Sequence, residues 1–247
     1  MTEGSGTAMN KIKIDYLTID FPNYGIISTM LDDECMKYLW NSIEEGKKDN
    51  INMNKDLAGN ISTSLAIKDK DNKISDYVYA LIQEYEKKYN QPYQLSLDLL
   101  NNMLKRLDLT IFEQAEKTAA GYLYGFSLDS FWVNFQKQNE FNPMHNHSGV
   151  YSFVIWMKIP TEWKEQKELP IAKNSGMDGF ISNFGFTYTD VLGGIRNFNV
   201  EMGKDREGVL LLFPSQMHHL VNPFYNCDEE RISISGNVYL KVKGKSK

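Results

Sequence analysis

From Phe126 onward the apolar residues of this chain recur at every second position, and this change of period constrains the fold more than any other feature. Phe131, Val133 and Phe135 alternate with Trp132, Asn134 and Gln136, which predicts a strand with one face in a core. Val150 to Ile159 is apolar on both faces and is closed by Pro160, so it predicts a strand covered from both sides. Phe180 to Tyr188, Ile195 to Val200, Val209 to Phe213 and Arg231 to Val242 are further strands, separated by turn-rich segments. Between them, Thr161 to Gly179 is a polar insertion whose length suits a lid or substrate loop.

The first half has a different period. Ile12 to Ile19 alternates like a strand, and Leu31-Asp32-Asp33-Glu34 then opens a helix with acidic residues in its first turn. Met36, Leu39, Trp40 and Ile43 follow at helical spacing, and Gly46 is expected to stop that helix. Ile74, Val78, Leu81, Ile82 and Tyr85 outline one buried face of a second helix. Leu97 to Phe112 reads as a third helix or a helix running into a loop. The expectation is one fused domain over 1–247, with a mainly helical part at 10–125 packed on a β-rich part at 126–242. Residues 1–9 and 243–247 are expected to be disordered.

Charge excludes one class of partner. With 27 Lys and Arg against 32 Asp and Glu, mixed along the chain, there is no basic footprint for nucleic acid. Cys35 and Cys227 are the only cysteines, so no disulfide framework is implied and a reducing compartment is expected. The longest apolar runs, Phe153 to Met157 and Val209 to Phe213, are far too short to span a bilayer. No secretory signal is visible, and a soluble, cytoplasmic protein without a membrane partner is expected. Nothing in the sequence sets the oligomeric state.

The chemistry concentrates in two places. All 4 histidines fall in two clusters, His145-Asn146-His147 and His218-His219, each beside strand-like sequence. Imidazole is a common ligand for transition metals and a proton shuttle near neutral pH. On an extended segment His145 and His147 point the same way, so both can reach one ion. His218 and His219 face opposite ways, so only one of them should ligate, and parity alone does not choose between them. Arg231 and Ser233 share one face of the last strand, opposite Ile232 and Ile234. A guanidinium on the inside of a barrel needs a partner. That partner is Glu229, Glu230 or an internal carboxylate, or else a bound carboxylate clamped with Ser233 as a second donor.

Two stretches carry a family resemblance. Trp132-Val133-Asn134 followed by Asn142-Pro143-Met144-His145-Asn146-His147-Ser148-Gly149-Val150-Tyr151 is similar to the first half of the site in 2-oxoglutarate/Fe(II)-dependent oxygenases. Phe213-Pro214-Ser215-Gln216-Met217-His218-His219-Leu220-Val221, then Glu230 to Asn237, resembles the second half. The likeness is strongest to a branch frequent in phages and marine bacteria, and Leu57-Ala58-Gly59-Asn60-Ile61 echoes that branch upstream.

The resemblance implies an α+β fold in which a double-stranded β-helix core (jelly-roll, cupin-like) carries the N-terminal helices. It implies iron held by His219 and by His145 or His147, or both, with a remote carboxylate or water completing the set if only one of the pair ligates, and 2-oxoglutarate held by Arg231 and Ser233, with Tyr151 and Asn134 as further donors. O2 is then the oxidant, succinate and CO2 are released, and a small molecule or a peptidyl side chain such as proline is hydroxylated. It also suits a phage-encoded enzyme acting in a host cytoplasm. One position departs from the pattern: His147 stands where a carboxylate completes the facial triad in most such oxygenases. Two other readings of the same residues are a three-histidine cupin-like metalloenzyme that does not use 2-oxoglutarate, and a non-catalytic barrel that serves binding or assembly.

Overall fold

A computed structural model describes residues 24–89, 122–173 and 180–245. The strand expected at Ile12 to Ile19, the helix expected at Leu97 to Phe112 and the end of the polar insertion lie outside the described residues.

Among the described residues, ten strands form two antiparallel sheets. The larger contains β1 (Ile27–Met30), β2 (Thr63–Ala66), β3 (Tyr122–Gln136), β5 (Tyr151–Lys158), β8 (Val209–Pro214) and β10 (Arg231–Lys245), in the order β1-β8-β5-β10-β3-β2. The smaller contains β4 (Asn142–His145), β6 (Asn183–Thr189), β7 (Ile195–Glu201) and β9 (His218–Val221), in the order β4-β9-β6-β7. From β3 to β10 the chain passes back and forth between the two sheets, and apart from the β6-β7 hairpin the neighbours in each sheet are distant in sequence. This is the winding of a double-stranded β-helix, or jelly roll, as the resemblance implied.

The two faces of the larger sheet have different partners. Its outer face is covered by α1 (Asp33–Asp49) and α2 (Lys73–Tyr89), with Leu39, Ile43, Ile74, Val78, Ile82 and Tyr85 buried against Val133, Phe153, Ile155 and Ile234. Its inner face meets the smaller sheet through Val154, Trp156, Leu211 and Phe213 against Phe184 and Phe186. Strand β5 is therefore buried from both sides, as its doubly apolar sequence predicts. The same parity divides β10: Ile232, Ile234 and Val238 join the helix-side core, whereas Arg231 and Ser233 are turned into the cavity between the sheets.

Gly46 does not end α1. The helix begins with Asp32 accepting from the backbone N–H of Cys35 and runs on to Asp49, where Asn50 at φ 50 donates its N–H to Gly46 O. Gly46 is a point of close approach instead: a Cβ there would lie 2.5 Å from Ile67 Cγ2 and 2.9 Å from Ala66 O. The absent side chain lets the helix lie directly on the strand below it. At the other end of the chain, β10 continues to Lys245, past the point where the tail was expected to fray, because antiparallel pairing with Tyr122 and Leu123 occupies it. Four short strands were not anticipated. β1, β2, β4 and β9 have 4 residues each, too few to establish a period, and pairing with longer neighbours defines them.

The polar insertion begins with α3 (Trp163–Gln166) and α4 (Pro170–Lys173). Gln166 is buried there, donating to Tyr225 O at 2.9 Å and accepting from Tyr225 N at 2.8 Å, while the N–H of Trp163 bonds to Met202 O. The described part of the insertion is thus pinned to the body. No helix among the described residues is long and apolar enough to cross a membrane.

Candidate metal centre and cosubstrate pocket

Strands β4 and β9 pair so that His145 and His219 stand directly opposite each other. His147 lies two residues on, in a turn held by its N–H to Ser215 O at 2.8 Å. The three imidazoles converge, each offering one ligand atom within 4.8 Å of the others. Nδ1 of His145 bonds to Pro143 O at 2.7 Å and Nδ1 of His219 to Met217 O at 2.9 Å. In both rings Nδ1 is therefore the protonated nitrogen, and Nε2 keeps its lone pair for a metal.

Burial makes these rings neutral. His219 is 3 % exposed, stacked on Phe184 and edge-on to Phe213, and burial with its histidine neighbours pushes it down to about 3. Burial and the neighbouring His145 push His147 down to about 4. His145 is lowered as well, chiefly by burial. A metal would therefore meet three neutral ligands near pH 7 without displacing protons. His218 faces outward and is exposed, as expected for the ring of the pair that does not ligate.

The same cavity contains Arg231, Ser233, Asn134 and Gln136, all brought in by the inner face of β3 and β10. Arg231 is 2 % exposed, yet none of the described carboxylates forms an ion pair with it. Glu229, one expected partner, bonds to Lys158 at 2.6 Å. Neutral groups hold the guanidinium: Nη2 donates to Ser182 Oγ at 2.7 Å, Nη1 lies 3.4 Å from Gln136 Oε1, and the Phe224 ring lies 4.9 Å below. Its Nε is buried without a hydrogen-bond partner. Burial alone lowers its pKa to about 9. A buried cation with no anionic partner among the described residues, in one cavity with three metal-ligand donors, suits a site that receives an anionic ligand.

Residues 130–237, which contain this whole arrangement, match the family model described as "Putative 2OG-Fe(II) oxygenase". This segment is similar to the 2-oxoglutarate/Fe(II)-dependent oxygenases. No curated protein sequence matches the chain. Among solved structures it is similar to a prolyl-4-hydroxylase from Pseudomonas putida, at 13 % identity and TM-score 0.41 over 91 % of this chain and 94 % of that one. A prolyl hydroxylase from Trichoplax adhaerens, solved with a hypoxia inducible factor peptide fragment, gives 10 % identity and TM-score 0.44 over 88 % and 82 %. A 2OG-Fe(II) oxygenase family oxidoreductase from Burkholderia pseudomallei gives 14 % and 0.31 over 49 % and 47 %.

The donor set fits the cofactor and cosubstrate of that family. Three neutral imidazoles suit a divalent transition metal, and the unpaired guanidinium suits a dicarboxylate. Tyr151 does not join them. It is 0 % exposed and packs on the helix side of the larger sheet against Tyr85 and Phe126, with its hydroxyl 3.3 Å from Glu86. Strand parity explains the correction, since Tyr151 shares a face with Phe153 and Ile155 while Ser152 faces inward.

Other wall residues were not foreseen. Gln136 and Asn237 follow from alternation along β3 and β10, and Ser64 enters on β2. The wall at Leu57, Ala58, Gly59 and Ile61 comes from the segment that echoed the family upstream. Ser182, the best partner of Arg231, sits at φ 51, a conformation with no signature in the residue type.

Proposed function

We propose that the chain is a 2-oxoglutarate- and Fe(II)-dependent dioxygenase that hydroxylates a peptidyl side chain, such as proline, and releases succinate and CO2. The observation that carries this reading is Arg231, a buried cation without a carboxylate partner among the described residues, in one cavity with three converging imidazoles.

In this reading His145, His147 and His219 hold the iron, the two Nδ1–H bonds to backbone carbonyls keeping the first and last rings in their ligating tautomer. Arg231 and the Ser233 hydroxyl hold the far carboxylate of 2-oxoglutarate, with Asn134 as a further donor. Bound there, Fe(II) supplies activation of O2, one oxygen atom going into succinate as CO2 leaves and the other into a substrate C–H bond. Phe184, Phe213 and Trp156 line the cavity beside the imidazoles and exclude water from that chemistry. Met144, Asn146 and Gln216, which flank the histidines, are exposed and uncharged, which suits a neutral peptide segment at the mouth.

The test is succinate formation by the full chain with Fe(II), O2 and 2-oxoglutarate, with and without proline-containing peptides. The expected result is succinate production that disappears in His219→Ala, and its absence from the intact protein would contradict the reading. The third histidine favours one rival, a cupin-like metalloenzyme that does not use 2-oxoglutarate. That rival predicts unimpaired metal binding together with no affinity for 2-oxoglutarate.

A further inference from the structure

Strand β2 lies outside the segment matched by the family, yet it supplies one wall of the cavity. Its register puts Ser64 opposite Asn134, and Asn134 in turn lies opposite Ser233, so these polar residues form one row across the inner face of the sheet. Ser64 and Asn134 are both buried, at 2 % and 6 % exposure, and the Ser64 hydroxyl donates to Asn134 Oδ1 at 2.8 Å. A primary amide presents an acceptor at one end and donors at the other. Engaging the oxygen with Ser64 therefore turns Nδ2 away from β2, toward the cavity that Asn134 lines.

Ser64 is itself held in place. Asn54 Oδ1 accepts from the Ser64 N–H at 2.8 Å, and Asn54 Nδ2 donates to Ile61 O at 2.8 Å and Ser62 O at 2.9 Å. The turn before β2 is closed by one side chain that satisfies three backbone groups, so the hydroxyl is delivered from a fixed backbone.

We propose that Ser64 is a positioning residue for cosubstrate binding, which fixes the Asn134 amide so that it offers hydrogen-bond donors, not an acceptor, to a carboxylate of 2-oxoglutarate. This rests on the reading that the cavity takes 2-oxoglutarate. Without the Ser64 hydroxyl the buried Asn134 oxygen loses its partner, and the orientation that presents donors to an anion loses the bond that favours it.

Anaerobic titration of 2-oxoglutarate into the Fe(II)-loaded full chain tests this, alongside a separate Fe(II) titration. Ser64→Ala is expected to weaken 2-oxoglutarate about tenfold while leaving Fe(II) affinity unchanged, and Ser64→Thr to restore binding to within about twofold. Asn134→Asp, which turns a negative charge toward the ligand, is expected to bind more weakly than Asn134→Ala. An unchanged dissociation constant in Ser64→Ala, or Asn134→Asp binding as tightly as Asn134→Ala, overturns the proposal while leaving the oxygenase reading intact. If Ser64→Ala fails to fold, Ser64→Cys, of similar size and a far weaker donor, takes its place with the same expected loss. No binding by the wild-type chain overturns both.

Discussion

Replacing Arg231 with methionine should stabilise the metal-free protein and cripple it as a cosubstrate receptor. The fall of its guanidinium from 12.5 to about 9 corresponds to about 5 kcal/mol disfavouring the charged form in its buried setting. Both folded and unfolded states are protonated at pH 7, so that cost is fully present there. The bond to Ser182 Oγ and the Phe224 face return part of it, about 1–2 kcal/mol each. The remainder leaves Arg231→Met about 1–3 kcal/mol more stable without ligand, or about 2–12 °C in melting temperature. For binding the sign reverses. Stripping a buried charged partner from a carboxylate costs about 2–5 kcal/mol, so affinity for 2-oxoglutarate should fall about 30- to 5,000-fold. Thermal melts with and without 2-oxoglutarate measure both effects on one sample. A variant that melts lower than wild type without ligand and still responds fully to 2-oxoglutarate would refute the reasoning, because Arg231 would then be a structural residue.

Three further predictions concern other parts of the molecule. His147 and His219, held near 4 and 3 when folded, titrate at about 6.5 when unfolded, so the unfolded chain binds more protons between those values and stability rises with pH across that window. The metal-free protein should lose about 2–4 kcal/mol from pH 7 to pH 5, with a shallower fall in His219→Asn; equal profiles by urea denaturation would exclude the effect. Gly46→Ala should destabilise by about 1–3 kcal/mol despite alanine's better helix propensity, because its Cβ meets Ile67 Cγ2 at 2.5 Å and Ala66 O at 2.9 Å; an unchanged or higher melting temperature would argue otherwise. Tyr151→Phe should leave 2-oxoglutarate affinity within about twofold of wild type, and a large loss would return Tyr151 to the site.

The inner face of this site was legible because alternation is a strong signal in long strands. Trp132, Asn134 and Gln136 on β3, and Arg231 and Ser233 on β10, are assigned to one side by parity, and that side is the cavity. Tyr151 lies in phase with Phe153 and Ile155, hence on the helix face, and its parity contradicts the role that the resemblance implied. The choice of His219 over His218 was not a matter of parity, which is symmetric, but of which face of β9 meets Phe184 and Phe213. Ser182 and Ser64 were out of reach, because their roles depend on partners 49 and 70 residues away. Gly46 was misread because a glycine near a helix end satisfies two physical needs, a left-handed terminus and close approach, and the residue type alone does not separate them.

The central claim is that the three histidines and Arg231 form one receptor for iron and 2-oxoglutarate. Anaerobic absorption spectroscopy of the Fe(II)-loaded chain, titrated with 2-oxoglutarate, addresses it most directly. The account predicts a saturable visible band at one equivalent of iron, missing from His219→Ala and demanding far more 2-oxoglutarate in Arg231→Met. No band in the wild-type chain, or a band indifferent to Arg231, would contradict it.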